Sequence, residues 1–122
     1  MKKINTDKAA PAIGPYSQGI ITGSLLFTSG QIPIDPVTGT IPEGIDAQTH
    51  QSIQNLKAIA ESAGTDLTKA VKTTCFLADM NDFAKFNEIY ETYFIGKPAR
   101  SCVAVKTLPK GVLVEVEAII EV

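Results

Sequence analysis

The last eleven residues, VLVEVEAIIEV, alternate more regularly than any other part of the chain. A period of two puts Val112, Val114, Val116, Ala118, Ile120 and Val122 on one side of a strand, and Leu113, Glu115, Glu117, Ile119 and Glu121 on the other. The first side reads as core. The second mixes carboxylates with large aliphatics, which suits a face partly covered by another subunit. Just upstream, KPARSCVAV (97–105) reads as a strand with Arg100, Cys102 and Ala104 on one side and Ser101, Val103 and Val105 on the apolar side. The short Leu108-Pro109-Lys110-Gly111 connection predicts antiparallel pairing of these two strands, with Arg100 on the non-core face beside the glutamates.

Residues 17–22 and 25–32 are β-branched or apolar runs separated by Gly23-Ser24, a hairpin signal. The proline- and glycine-rich stretch 33–44 is loop. From Asp46 the period becomes 3.6: Thr49, Ile53, Leu56, Ala60 and Ala63 form one stripe, with Asp46 as cap and Gly64 as terminator. Residues 69–78 favour a strand with Val71, Thr73, Cys75 and Leu77 on one face. After a turn at 79–81, Asp82 is placed to cap a second helix whose stripe is Phe83, Phe86, Tyr90 and Tyr93 or Phe94, aromatics whose spacing reads as core. The order is α+β: a mostly antiparallel or mixed sheet with two helices packed on one face.

Composition narrows the function classes. A chain of 122 residues predicts one domain, 1–122, and 44% hydrophobic against 20% charged residues is an ordinary globular balance. Eleven Lys and Arg against thirteen Asp and Glu make no basic stripe, so nucleic acid is not the expected partner. No apolar run approaches a membrane span, and the N-terminal MKKINTDKAA has no signal-peptide core, so the expected location is cytoplasmic. Two cysteines, Cys75 and Cys102, stand in no CxxC pattern and read as reduced thiols in strands; the single histidine, His50, reads as a surface residue of the first helix. No metal-ligand spacing and no phosphate-binding glycine motif is present, so neither metal nor organic cofactor is expected.

Five separated strings, AIGPYSQGI (12–20), TSGQIP (28–33), NLKAIAESAG (55–64), PARSCV (98–103) and LPKGVLVEVEA (108–118), resemble the RidA/YjgF family, formerly described as L-PSP or translation-inhibitor proteins. The resemblance runs from about residue 3 to residue 122. It implies a chorismate-mutase-like fold assembled as a homotrimer, with pockets at the subunit interfaces. It also implies hydrolytic deamination of reactive enamines and imines, chiefly 2-aminoacrylate and 2-aminocrotonate, to 2-keto acids and ammonia. On this sequence the implied carboxylate clamp is Arg100. The implied pocket is completed by Tyr16, Ser29, Gly30, Asn87, the backbone near Cys102, and Glu115 as the proton-handling group.

The residue types fit that chemistry. An α-imino acid carries a carboxylate beside an electrophilic C=N carbon, so a bidentate guanidinium holds the acid and leaves the carbon open. A carboxylate within reach of a water then manages protons as the carbinolamine forms and collapses. Two other readings use the same residues: a non-catalytic trimer that binds a small carboxylate and regulates a partner, and an endoribonuclease or translation inhibitor, which the acidic balance disfavours.

Overall fold

The computed structural model describes residues 1–122. Six strands and two helices follow in the order β1 (Lys2–Ile4), β2 (Gly19–Thr22), β3 (Leu25–Thr28), α1 (Ile45–Ser62), β4 (Ala70–Leu77), α2 (Phe83–Tyr93), β5 (Ala99–Ala104) and β6 (Val114–Glu121). They form one sheet in the order β1-β2-β3-β6-β4-β5. Every pairing is antiparallel except β4 with β5, which is parallel. The sheet is therefore mixed, as expected, with both helices on one face.

That face is the core. Leu26 pairs with Ile120 between β3 and β6, and Cys75 pairs with Val116 between β4 and β6; all four side chains are fully buried. From α1 the stripe Ile53, Leu56, Ile59 and Ala60 packs down on them, and from α2 come Phe86 and Tyr90, with Phe94 just beyond the helix. The alternation read in the last strand is observed from Val114 to Ile120, where Val114, Val116, Ala118 and Ile120 are buried and the residues between them are half-buried; Val122, expected on the same side, lies past the end of the strand and is 40% exposed. Burying so many branched and aromatic side chains, at ~25 cal/mol per Å² of apolar surface, is the main force holding helices to sheet.

Several expectations are corrected. The arginine strand β5 does not pair with β6; it lies parallel to β4 at the edge of the sheet, and the 105–113 connection crosses to the far side of β4. Parallel pairing puts Arg100 opposite Thr73 and Cys102 opposite Cys75, both core-facing. Arg100 and Cys102 hence lie on the helix-covered face, and Ser101 and Val103 are the outward residues, Val103 being 46% exposed. Alternation shows which residues share a side but not which side is covered.

Helix α1 starts two residues earlier than expected, with Gly44 at φ 87° as the N-cap and Asp46 inside the first turn, where its charge favours the helix dipole without capping. Gly64, at φ +83°, does end it. Asp82 makes no capping bond; Asp79 instead accepts from the Asn81 amide and starts the turn into α2. A bulge between Ala70 and Lys72 turns Val71 out to 49% exposure, so only Thr73, Cys75 and Leu77 share the buried face. The strand expected over 25–32 stops at Thr28 and resumes as a single bridge from Gln31 to Val116. The short β1, which pairs with β2, is a strand that the sequence pattern does not predict.

Polar residues on the buried side of α1 position the loop after β3. Ser52 Oγ donates to the Gln31 carbonyl at 2.6 Å, and Asn55 Nδ2 donates to the carbonyls of Ile32 and Ile34 at 3.2 and 3.0 Å. Gln48 accepts from the Leu113 amide and donates to the Pro42 carbonyl. Positions 48, 52 and 55 form a helical row, so one face of α1 fastens a loop that lacks secondary structure of its own.

Candidate functional site

Two clusters of the expected residues form, on opposite faces of the sheet. The first surrounds Arg100. Its guanidinium carbon lies 4.8 Å from the centre of the Tyr90 ring and 5.5 Å from that of Phe83, and its Nη1 donates to Asn87 Oδ1 at 2.8 Å. Phe83, Asn87 and Tyr90 are spaced i, i+4, i+7 on α2, so one stripe of the helix supplies both aromatic faces and the amide. Thr73, the register partner of Arg100, fixes Tyr90 through a 2.6 Å hydroxyl–hydroxyl bond. No carboxylate pairs with Arg100; the chain's ion pair is Lys57 with Glu61, 3.9 Å apart on the outside of α1. A half-buried guanidinium on an aromatic platform, with donors left over, has the charge and geometry to receive an anion.

The second cluster lies on the open face and surrounds Glu115. Tyr16, Thr28, Ser29, Gly30, Glu115 and Glu117 line a shallow cavity of about 350 Å³. The Gln31–Val116 bridge brings Gly30 so close to the strand that a Cβ there would lie 2.7 Å from Glu115 Oε2, so any side chain at this position would have to displace the carboxylate. Ser29 Oγ donates to the Ser17 carbonyl at 2.6 Å, and Tyr16 Oη accepts from the Ile13 amide, so both hydroxyls brace the 13–17 turn. Burial, and then the like charge of Glu117 two residues on, raise the Glu115 carboxyl above its ordinary range.

The faces follow from register. Glu115 sits opposite Phe76 and Glu117 opposite Thr74, the outward positions of β4, whereas Arg100 sits opposite inward Thr73. Glu115 and Arg100 are also two strands apart, about 10 Å at ordinary strand spacing. Within one chain they cannot reach the same small acid. Asn87 and Cys102 go with Arg100; Tyr16, Ser29 and Gly30 go with Glu115.

The chain matches the Endoribonuclease L-PSP family over residues 6–122. It belongs to that family. A Salmonella typhimurium relative, 52% identical over 122 residues and covering 97% of this chain and 95% of its own, is named 2-iminobutanoate/2-iminopropanoate deaminase. The crystal structure of Escherichia coli TdcF with bound serine is 47% identical, covers 100% of this chain and 99% of its own, and superposes with a TM-score of 0.96. That of the Escherichia coli YjgF gene product is 49% identical, covers 99% and 98%, and superposes at 0.95.

In this L-PSP chain three contributors are not evident from sequence. The spacing of Phe83 and Tyr90 reads as core, yet their ring faces carry Arg100; the available signal is the polar Asn87 set within an aromatic stripe. Glu117 reads as one more strand carboxylate, but it is the neighbour whose charge acts on Glu115, because i, i+2 spacing on a strand puts them on one face. His50 is where it is expected, exposed on α1, with its Nδ1 2.8 Å from Tyr93 Oη and far in the chain from either cluster. No helix is long and apolar enough to cross a membrane.

Proposed function

We propose that the chain hydrolyses 2-iminobutanoate and 2-iminopropanoate to the 2-keto acids and ammonia, at sites built by pairing the Arg100 cluster of one copy with the Glu115 cluster of the next in a homotrimer. The observation that carries this reading is the separation of the two clusters onto opposite faces of one sheet. A clamp without a proton-handling carboxylate, and a carboxylate without a clamp, make half-sites. The open sheet face favours a cyclic assembly: Phe27 is 41% exposed on it, Ile20 and Ile119 are half-exposed, and Tyr16, 47% exposed, stands at the cavity edge.

In the assembled site Arg100 takes the carboxylate of the imino acid, held flat by Tyr90 and Phe83 and turned by Asn87. Glu115, as carboxylate, accepts a proton from water while the water oxygen adds to the C=N carbon, and passes that proton to the imine nitrogen, giving the carbinolamine R–C(OH)(NH2)–COO⁻. The same carboxylate then takes the hydroxyl proton and delivers it to nitrogen; the C=O bond forms as the C–N bond breaks, ammonia leaves and the keto acid remains. A carboxyl held above its usual range gives up and recovers a proton at closer to neutral pH, which suits both steps. Ribonuclease chemistry has less support: each half-site carries one cation or two carboxylates, and His50 lies elsewhere.

The test generates the imino acids in place, with a dehydratase acting on serine or threonine, and follows keto-acid release with and without the purified protein. Acceleration by the wild type and none by Arg100→Ala is expected, together with a trimer by light scattering. No acceleration by the wild type, with a small carboxylate still binding it, would assign the molecule to carboxylate sensing instead.

A further inference from the structure

Cys75 and Cys102 are the chain's only cysteines, and the parallel pairing of β4 with β5 sets them directly opposite one another. Both point to the helix-covered side: Cys75 is fully buried, and Cys102 packs against the same core from the edge strand, half exposed. Neighbouring strands run about 4.8 Å apart, within the roughly 4.4–6.8 Å between Cα atoms that a disulfide spans. Both thiols are free. Nothing in the imine chemistry uses the Cys75 sulfur.

The two thiols have different surroundings. The titratable and charged groups facing Cys102 are Cys75 from β4, Arg100 from its own strand, and Tyr90 from α2 across the face. The neighbouring Cys75 thiol and then Arg100 outweigh burial and hold Cys102 down at about 7, while the Cys75 thiol itself donates to Thr73 Oγ1 at 4.0 Å. The neighbouring Cys102 sulfur, together with burial, pushes Cys75 far up. One sulfur is thus an accessible thiolate near neutral pH; the other is a protonated neighbour with no second partner of its kind.

We propose that Cys75 and Cys102 form a hydroperoxide-responsive dithiol that closes to an intrachain disulfide, stapling the arginine-bearing edge strand β5 to β4. The Cys102 thiolate attacks one peroxide oxygen; the O–O bond breaks, hydroxide or alkoxide leaves, and Cys102 becomes a sulfenic acid. The Cys75 sulfur then attacks the Cys102 sulfur, the S–S bond forms, and the sulfenic oxygen leaves as water with the Cys75 proton. Two thiols lose two electrons in all, and one hydroperoxide is reduced. A bridge between adjacent parallel strands is conformationally constrained, which makes it readily reduced and so a reversible clasp. Edge strand β5 pairs only with β4, so this bond is the one covalent tie available to the strand that presents Arg100.

The full chain, reduced and then exposed to hydrogen peroxide over a range of pH, is alkylated and digested without reductant. A Cys75–Cys102 cross-linked peptide should replace both alkylated peptides, disappear with dithiothreitol, and form at a rate that is half-maximal at pH about 7. Cys75→Ala should stop at a Cys102 sulfenic acid that dimedone traps, and Cys102→Ser should leave Cys75 unoxidised. Three wild-type results would each overturn the proposal: Cys102 passing to sulfinic acid without a cross-link, disulfides forming only between copies, or both thiols remaining alkylatable. None of these readouts depends on imine hydrolysis.

Discussion

Replacing Arg100 with lysine separates charge from geometry at the site. The side chain keeps its positive charge and its place on β5 but loses the planar fork, and with it the ability to give two parallel bonds to a carboxylate. In the structure one Nη1 hydrogen already goes to Asn87, which leaves the rest of the guanidinium free to meet the carboxylate of the proposed substrate. A hydrogen bond to a charged group contributes about 1.5–3 kcal/mol, so losing one of the pair should lower kcat/KM by roughly ten- to a hundredfold. Arg100→Ala loses both and should fall further. Neither change should unfold the chain, because the arginine's packing over Tyr90 and Phe83 contributes only about 0.5–2 kcal/mol. Keto-acid release from imino acid made in place measures the effect, with circular dichroism and Tm as controls. A folded Arg100→Lys with wild-type kcat/KM would show that a diffuse positive charge suffices and that bidentate clamping is wrong.

Gly30→Ala should abolish most turnover with little loss of Tm, since the new methyl would sit 2.7 Å from Glu115 Oε2 and displace the carboxylate rather than the core; retained activity would remove Glu115 from the chemistry. In the proposed mechanism Glu115 works as a carboxylate, so the acidic limb of kcat/KM should lie above the ordinary carboxylate range. Glu117→Gln should move that limb to lower pH by the smaller part of the shift, burial being the larger cause. The sign for stability is opposite: a carboxyl raised on folding costs stability as pH rises through the ordinary glutamate range toward its folded value, so Glu115→Gln should not lower Tm at neutral pH. Asn55→Ala orphans the carbonyls of Ile32 and Ile34 and should cost about 2–3 kcal/mol in urea melts; a neutral result would mean the loop is held by other bonds.

How much is legible in the sequence depends on the range of the interaction. Period-two and period-3.6 patterns are written in neighbouring residues, so α1, α2, β4 and β6 can be found from them, and Gly64 ends α1 through its own left-handed backbone. Strand partnership is a long-range choice. The LPKG connection looks like a hairpin loop, but β4 competes for β5 and wins by setting Cys102, Arg100 and Ala104 against Cys75, Thr73 and Leu77. That exchange moves Arg100 to the opposite face from the one expected. The alternation in β5 is weak, with small or polar residues on both sides, so nothing local marks which side is core. The motif resemblance points to Tyr16, Ser29, Gly30, Asn87, Arg100, Cys102 and Glu115 as one pocket, and only register shows that within a chain they fall into two groups facing away from each other.

Subunit mixing tests most directly whether a working site takes Arg100 from one copy and Glu115 from another. Arg100→Ala and Glu115→Gln, each inactive alone, are unfolded together at equal amounts and refolded. In a cyclic trimer with heterologous interfaces, random mixing should give about a quarter of the sites an intact Arg100 and an intact Glu115 from adjacent copies, and activity should recover to that level. Mixed trimers with no recovered activity would contradict the account, because they would place both residues of each working site in the same chain.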